Sequence, residues 1–81
     1  MSIPEEIGRN VAFLRKVSNV SRGWLSLESG VAQSYLYEIE YGRSNPTVEI
    51  LAKIANALDV PFELLFVEDL PSHSVHPPVA V

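Results

Sequence analysis

Hydrophobic positions in the first two thirds of the chain recur at helical spacing. Ile7, Val11 and Leu14 lie at i, i+4 and i+7, which predicts a first helix that begins near Pro4 and is broken at Ser18. No segment alternates apolar and polar residues over more than three positions, so the pattern predicts no β-strand. The spacing as a whole favours an all-α fold of five short helices.

Turn and capping residues delimit the other four helices. The second helix follows the candidate N-cap Ser21 and ends at Gly30, because glycine readily adopts the left-handed conformation that closes a helix. After a tight turn, the third helix is predicted from about Gln33 to Tyr41. A fourth helix follows the candidate N-cap Thr47, and a last short helix spans residues 62–66.

The C-terminal segment, residues 67–81, lacks periodic apolar spacing and contains three prolines, which prevent regular structure. We therefore predict a folded domain of residues 1–66 and a Pro-rich tail that is disordered or ordered only against another surface. His73 and His76 have the spacing of a metal-binding pair on a helix, but the prolines argue against a helix there. We interpret both as ordinary tail residues and expect no metal site.

Composition narrows the function classes further. The 81 residues suffice for one small domain, and 47% of them are hydrophobic whereas only 20% are charged, which indicates a partner surface. The absence of cysteine excludes disulfides, thiolate metal sites and cysteine nucleophiles. No apolar run approaches the roughly 18 residues of a membrane span, and the first ten residues do not resemble a signal peptide. We expect a cytoplasmic protein.

The net charge of −4 is unevenly distributed along the chain. Residues 1–45 contain five basic and five acidic side chains, whereas residues 46–81 contain one basic and five acidic side chains. DNA responds to the local field of the face that it meets, and not to the sum over the protein. The overall acidity therefore does not exclude a nucleic-acid partner.

Two short helices joined at Gly30 are typical of a helix-turn-helix, in which the second helix lies in the major groove of DNA. The matching stretches are IGRNVAFLRK, VSRGWLSLESGVAQSYLYEIEYGRSNPTVEILAKIANAL and DVPFELLF. Through them, residues 7–66 resemble the lambda-repressor/Cro-like helix-turn-helix domain of the XRE family. This resemblance implies a compact five-helix, lambda-repressor-like domain and a transcriptional regulator that binds double-stranded DNA. It implies a homodimeric repressor on a palindromic operator, without a cofactor.

Apolar residues of the third helix are expected to fix it to the core. Four side chains are then left on its outer face as candidate base-reading residues: Gln33, Ser34, Tyr37 and Glu38. Gln33 is the first choice, because a Gln amide can bond N6 and N7 of adenine together. Ser34 and Tyr37 are second choices, and Glu38 either accepts from cytosine N4 or repels phosphates. The alternative interpretation is an ordinary solvated helix face.

The resemblance also implies three contacts to DNA phosphates. Arg22 stands at the start of the second helix, where a guanidinium can grip a phosphate bidentately. Arg43 follows Gly42 in the loop that family members lay along the DNA backbone, and Asn45 assists through its amide. For both arginines, the alternative role is solubility alone.

Two structural roles follow from the same resemblance. The family pairs an Arg at the end of the first helix with the Glu that closes the recognition helix, which implies an Arg15–Glu40 ion pair. The family commonly dimerises through its last helix, so Phe62, Leu64 and Phe66 are expected near a two-fold axis.

Departures from the family pattern lead to alternatives. Gly23 and Trp24 stand where many relatives carry acids that contact the transcription machinery, which favours a repressor over an activator. Ala32 lacks the hydroxyl that would cap the recognition helix. A competing hypothesis is a protein-interaction module, such as an antitoxin that binds its partner through the apolar surface and the tail.

Catalysis is not expected. The only two histidines lie in the tail, and there is no cysteine. Glu38 and Glu40 point to different faces of one helix and cannot act as a pair. We predict that the protein is not an enzyme.

Overall fold

A computed structural model describes residues 3–68 and residue 70 of the chain. Four α-helices are followed by one 3-10 helix: α1, Ile3–Val17; α2, Arg22–Ser29; α3, Gln33–Glu40; α4, Val48–Leu58; and the 3-10 helix, Phe62–Phe66. No strand occurs among these residues, so the all-α class is confirmed. None of the helices in the described ranges is long and apolar enough to cross a membrane.

The last predicted helix, residues 62–66, is a 3-10 helix, whereas the four before it are α-helices. Its backbone bonds run from the N–H of Leu64 to the carbonyl of Pro61, at 3.0 Å, and from Val67 to Leu64, at 3.4 Å. Both close the tighter i to i+3 turn. With only five residues between two extended caps, the segment has the length at which 3-10 geometry is common.

The predicted helix ends are formed by local hydrogen bonds. The Ser21 hydroxyl accepts from the N–H of Trp24 at 3.0 Å, and the Thr47 hydroxyl accepts from the N–H of Ile50 at 3.1 Å. Gly30 ends α2 with φ of 80°, the left-handed conformation that a side chain would strain. These three residues therefore fix where α2 and α4 begin and where the turn before α3 starts.

Every helix contributes apolar side chains to one core. Its buried members are Ile7, Val11, Leu14, Leu25, Val31, Leu36, Ile39, Leu51, Ile54, Ala55, Leu58, Leu65 and Leu70. Leu70 is only 8% exposed, although it lies beyond the domain boundary predicted at residue 66. The packed domain thus extends into the predicted tail; residues 71–81, with His73 and His76, lie outside the described residues.

A buried polar residue of α1, Asn10, holds this C-terminal extension in place. Its Nδ2 donates to the carbonyl oxygens of Leu65, at 2.9 Å, and Val67, at 2.8 Å. Its side chain is 1% exposed, and its Oδ1 has no hydrogen-bond partner within the described part of the chain. The amide thus binds two carbonyls at the point where the 3-10 helix ends.

Close packing between α1 and the end of α3 depends on Gly8. A Cβ atom at this position would lie closer than 3.0 Å to the carbonyl oxygen of Ile39 and 3.1 Å from that of Glu40. Both obstacles are backbone atoms, which cannot rotate away. The hydrogen side chain of Gly8 therefore sets how near α1 approaches the end of α3.

Candidate nucleic-acid interface

Helices α2 and α3, with the turn between them, form a helix-turn-helix whose second helix is anchored by its apolar side. In the turn, the Ser29 hydroxyl accepts from the N–H of Val31 at 3.1 Å, and Val31 itself is buried. Leu36 and Ile39 of α3 are fully buried in the core. The opposite side of α3 consequently faces outward.

That outward side carries the four residues predicted to read bases. Gln33, Ser34 and Tyr37 are exposed, and Glu38 is half-buried. Together with Arg22 at the start of α2, these four side chains line a shallow groove of about 420 Å³. The structure therefore brings the predicted base-reading residues and one predicted phosphate contact into a single surface.

The N-terminus of α3 opens onto the same surface. Ala32 occupies the N-cap position and makes no side-chain capping bond. The first N–H groups of a helix have no partner within the helix, and they carry partial positive charge. Without a capping oxygen, the N–H groups of α3 are suited to an anion such as a phosphate.

Glu40 closes α3 and binds two arginines. Arg15 donates from Nε to Glu40 Oε2 at 2.7 Å and from Nη2 to Oε1 at 3.0 Å, so this pair is bidentate. Arg15 Nη1 also donates to the carbonyl of Val20 at 3.0 Å. The Glu40 side chain is 3% exposed, and it joins the end of α1 to the end of α3.

The second arginine on Glu40 is Arg22, whose Nη1 donates to Oε1 at 2.7 Å. The sequence predicts a phosphate contact for Arg22 and does not indicate this ion pair. A guanidinium has five N–H donors, and the side chain of Arg22 remains 29% exposed. Arg22 is therefore held on its inner side by Glu40 while its outer side faces the groove.

Tyr37 lies against both predicted phosphate-binding arginines. The guanidinium carbon of Arg22 is 5.2 Å from the centroid of the Tyr37 ring, and that of Arg43 is 5.9 Å away. The Tyr41 ring is 4.6 Å from the Tyr37 ring and 5.7 Å from Arg43. The two tyrosines are four residues apart on α3 and its C-cap, so helical periodicity would have shown that they are neighbours.

The other predicted phosphate contacts lie in the loop after α3. Gly42 has φ of 72°, and Arg43 donates from its backbone N–H to the carbonyl of Glu38 at 2.9 Å. The side chains of Arg43 and Asn45 are exposed, but neither lines the groove of Gln33. The loop thus places Arg43 beside the groove, at Tyr37, with Asn45 further along the chain.

The three residues predicted at a dimer interface differ in their exposure to solvent. Phe62 and Leu64 are half-buried and pack against the core, whereas Phe66 is 42% exposed. The rings of Phe62 and Phe66 meet edge to face, with centroids 5.1 Å apart. Phe66 and its neighbour Val67 therefore form the exposed part of this apolar end.

Comparison with known proteins identifies the fold. The family model for "Helix-turn-helix", HTH_3, matches residues 14–65. The chain is 43% identical over 61 residues to the HTH-type transcriptional regulator SlrR of Bacillus subtilis, covering 74% of this chain but 40% of SlrR. It is 38% identical over 60 residues to the uncharacterized HTH-type transcriptional regulator y4dJ of Sinorhizobium fredii, covering 74% of this chain and 78% of that protein.

Solved structures agree with this assignment. The restriction-modification controller protein C.AhdI from Aeromonas hydrophila has a TM-score of 0.76 at 30% identity, covering 78% of this chain and 96% of its own. The clp gene regulator ClgR from C. glutamicum has a TM-score of 0.80 at 28% identity, covering 84% of this chain and 88% of its own. The chain therefore belongs to the HTH_3 helix-turn-helix family, as its resemblance to XRE-family domains predicts.

Proposed function

We propose that this protein is a transcriptional regulator that binds double-stranded DNA and acts as a homodimeric repressor on a palindromic operator. The observation that carries the proposal is the groove at the start of α3, which is lined by exposed Gln33 and Ser34 together with Arg22. Base-reading amide and hydroxyl groups next to a phosphate-binding cation are what a major-groove interface requires. The regulators SlrR and y4dJ support the same function class.

In this proposal Gln33 is the principal base-reading residue. It stands in the first turn of α3, the part of a recognition helix that enters the major groove, and its amide carries both a donor and an acceptor. Ser34 follows it and contacts either a base or a phosphate. Glu38, one turn further, accepts from cytosine or excludes a wrong register.

The phosphates are bound by Arg22, Arg43 and Asn45, together with the uncapped N-terminus of α3. Each phosphate that a protein neutralises releases counterions, so the affinity falls steeply with salt. We expect the association constant to fall at least about tenfold between 50 and 200 mM salt. A flat response would contradict the phosphate contacts.

Dimerisation through the C-terminal end is supported by the exposed apolar surface of Phe66 and Val67. A symmetric dimer presents two recognition helices to half-sites about 34 Å apart, one turn of DNA. A repressor is favoured over an activator because the first turn of α2 carries no acidic side chain.

Selection from random-sequence duplex DNA tests the proposal, with the wild-type protein beside Gln33→Ala. We expect the wild type to enrich a palindrome and Gln33→Ala to relax it at one symmetric position. Asn56→Ala is the matched control, since Asn56 is an exposed residue on α4 outside the groove of Gln33. Failure of the wild type to enrich any sequence at low salt would overturn the proposal.

A protein-interaction module is the second candidate, and the observation that favours it is the outer side of α2. Leu27 is 84% exposed and Trp24 is 39% exposed on this short helix. Large exposed apolar side chains mark partner surfaces in small domains. If Leu27→Ser or truncation after Leu70 abolishes the biological activity while Gln33→Ala does not, this second function is the correct one.

A further inference from the structure

We infer that Tyr37 is a positioning residue, whose ring holds Arg22 and Arg43 in place for DNA phosphates, and not a base-reading residue. The inference rests on the proposed function and refines it, because the sequence predicts Tyr37 among the base-reading candidates. It is carried by the four-residue cluster of Tyr37 with Arg22, Arg43 and Tyr41.

Three side chains of the same protein lie against the ring of Tyr37. Two guanidinium carbons lie within 5.9 Å of its centroid, and the Tyr41 ring lies 4.6 Å away. Both cations are within the distance at which the ring quadrupole attracts them. The ring of Tyr37 is therefore already engaged in the free protein, which leaves its hydroxyl as the group able to bond a base edge.

The two arginines are also restrained from other sides. Arg22 is bonded to the buried carboxylate of Glu40, and Arg43 lies 5.7 Å from the ring of Tyr41 as well. Long cationic side chains normally lose conformational freedom when they bind, which weakens binding. Arginines ordered in advance lose less, and the ring of Tyr37 lies against both guanidinium groups, at 5.2 Å and 5.9 Å.

The two possible roles of Tyr37, base reading and positioning of the arginines, differ in how binding depends on the DNA sequence. A base-reading residue strengthens binding to the preferred sequence only, whereas phosphate contacts strengthen binding to every sequence. Loss of the Tyr37 ring should therefore weaken binding to specific and non-specific DNA by a similar factor. Loss of its hydroxyl alone should change neither affinity by more than about twofold.

Fluorescence anisotropy with two labelled duplexes measures this difference: the palindrome recovered by selection and a scrambled duplex of the same composition. We expect Tyr37→Leu to weaken binding to both about tenfold, with an unchanged ratio of affinities, and Tyr37→Phe to bind like the wild type. Trp24→Leu is the matched control, since Trp24 and Tyr37 are each 39% exposed and Trp24 does not line the groove.

A double-mutant cycle tests whether Tyr37 acts through Arg43. In an Arg43→Gln background, Tyr37→Leu should weaken binding by a smaller factor than it does in the wild type, because one of the two held side chains is absent. Equal factors in both backgrounds would contradict the coupling. Nuclear Overhauser contacts between the Tyr37 ring protons and the Arg43 side chain give a test in the folded wild type that needs no variant, and their absence would overturn the inference.

Other outcomes are equally decisive. If Tyr37→Leu weakens binding to the palindrome alone, or if Tyr37→Phe loses as much affinity as Tyr37→Leu, then Tyr37 reads a base and the inference is wrong. If the wild type binds neither duplex, the proposed function itself fails, and the inference falls with it. A melting curve for each variant separates these results from loss of the fold.

Discussion

Replacing Gly8 with Ala tests the packing that sets the position of α3. The added methyl group would lie closer than 3.0 Å to the carbonyl oxygen of Ile39 and 3.1 Å from that of Glu40. Because both are backbone atoms, α1 must move away from the end of α3 to accommodate it. The shift would also disturb the bond from the Gly42 N–H to the same Ile39 carbonyl, now 3.0 Å long.

The expected cost follows from two opposing terms. Overpacking of a tight contact costs up to about 3 kcal/mol, and replacement of Gly by Ala within a helix returns about 1 kcal/mol. The net loss of unfolding free energy at Gly8 is then about 2 kcal/mol. In a domain of this size, it corresponds to a melting temperature lower by roughly 8–16 °C.

Gly23→Ala is the control, because it introduces the same chemical change in α2 without a clash. A Cβ at Gly23 would lie 3.6 Å from the side chain of Gln33 and from the Ser21 hydroxyl, which is ordinary contact. Here only the helix propensity changes, so we expect a gain of up to about 1 kcal/mol. The two substitutions should therefore shift stability in opposite directions.

Circular dichroism melting at one fixed protein concentration measures both variants beside the wild type, since the stability of a dimer depends on concentration. A Gly8→Ala protein that melts at or above the wild-type temperature would refute the close approach of α1 and α3. A Gly23→Ala protein whose melting temperature falls by several degrees would contradict the finding that α2 has room for a Cβ atom at residue 23.

Three further substitutions test single contacts by urea or thermal unfolding. Glu40→Gln leaves the buried Arg15 without its counter-charge, so the unfolding free energy should fall by about 3–5 kcal/mol; an unchanged urea midpoint would contradict this. Asn10→Ala removes two hydrogen bonds at the C-terminal end and should lower the unfolding free energy by about 2–4 kcal/mol; a wild-type urea midpoint would mean that these two bonds do not stabilise the fold. Ala32→Ser gives α3 a capping hydroxyl and should raise the melting temperature by roughly 4–8 °C; a decrease would show that this N-terminus is not open.

Local chemistry explains why most of the fold was predictable from the sequence. Ser21, Thr47 and Gly30 act on residues three or four positions away, so their capping roles can be seen in the sequence itself. The resemblance to the family supplied the rest of the architecture. The type of the last helix was not predicted, because a five-residue segment carries too little periodicity to distinguish 3-10 from α geometry.

Contacts between distant parts of the chain were the less predictable features. Asn10 bonds to carbonyls 55 and 57 residues away, and nothing in the neighbouring sequence indicates it. Leu70 lies within the predicted tail, residues 67–81, and yet its side chain is buried. The prolines of this segment indicate a loss of regular structure, but they do not indicate whether a side chain is buried. The Asn10 bonds and the burial of Leu70 both arise from the packing of the C-terminal segment on the rest of the domain, so local sequence does not predict them.

The candidate interface shows the same division. Periodicity on α3 was sufficient to predict its outward residues, because the buried Leu36 and Ile39 define the opposite side. The second ion pair of Glu40, with Arg22, joins two different helices and has no counterpart in the sequence pattern. The sequence therefore predicted which residues of α3 face outward better than it predicted the ion pairs at the end of this helix.

The most direct test of the account is the contact between Gln33 and a base edge. Adenines of the selected operator are replaced one at a time by 7-deazaadenine, which lacks the N7 acceptor in the major groove, and the affinities of wild type and Gln33→Ala are compared. We expect one symmetric pair of replacements to weaken wild-type binding by about 1–3 kcal/mol per contact and to leave Gln33→Ala unaffected. Equal sensitivity of both proteins at every position would contradict the assignment of Gln33 and of α3 as the reading helix.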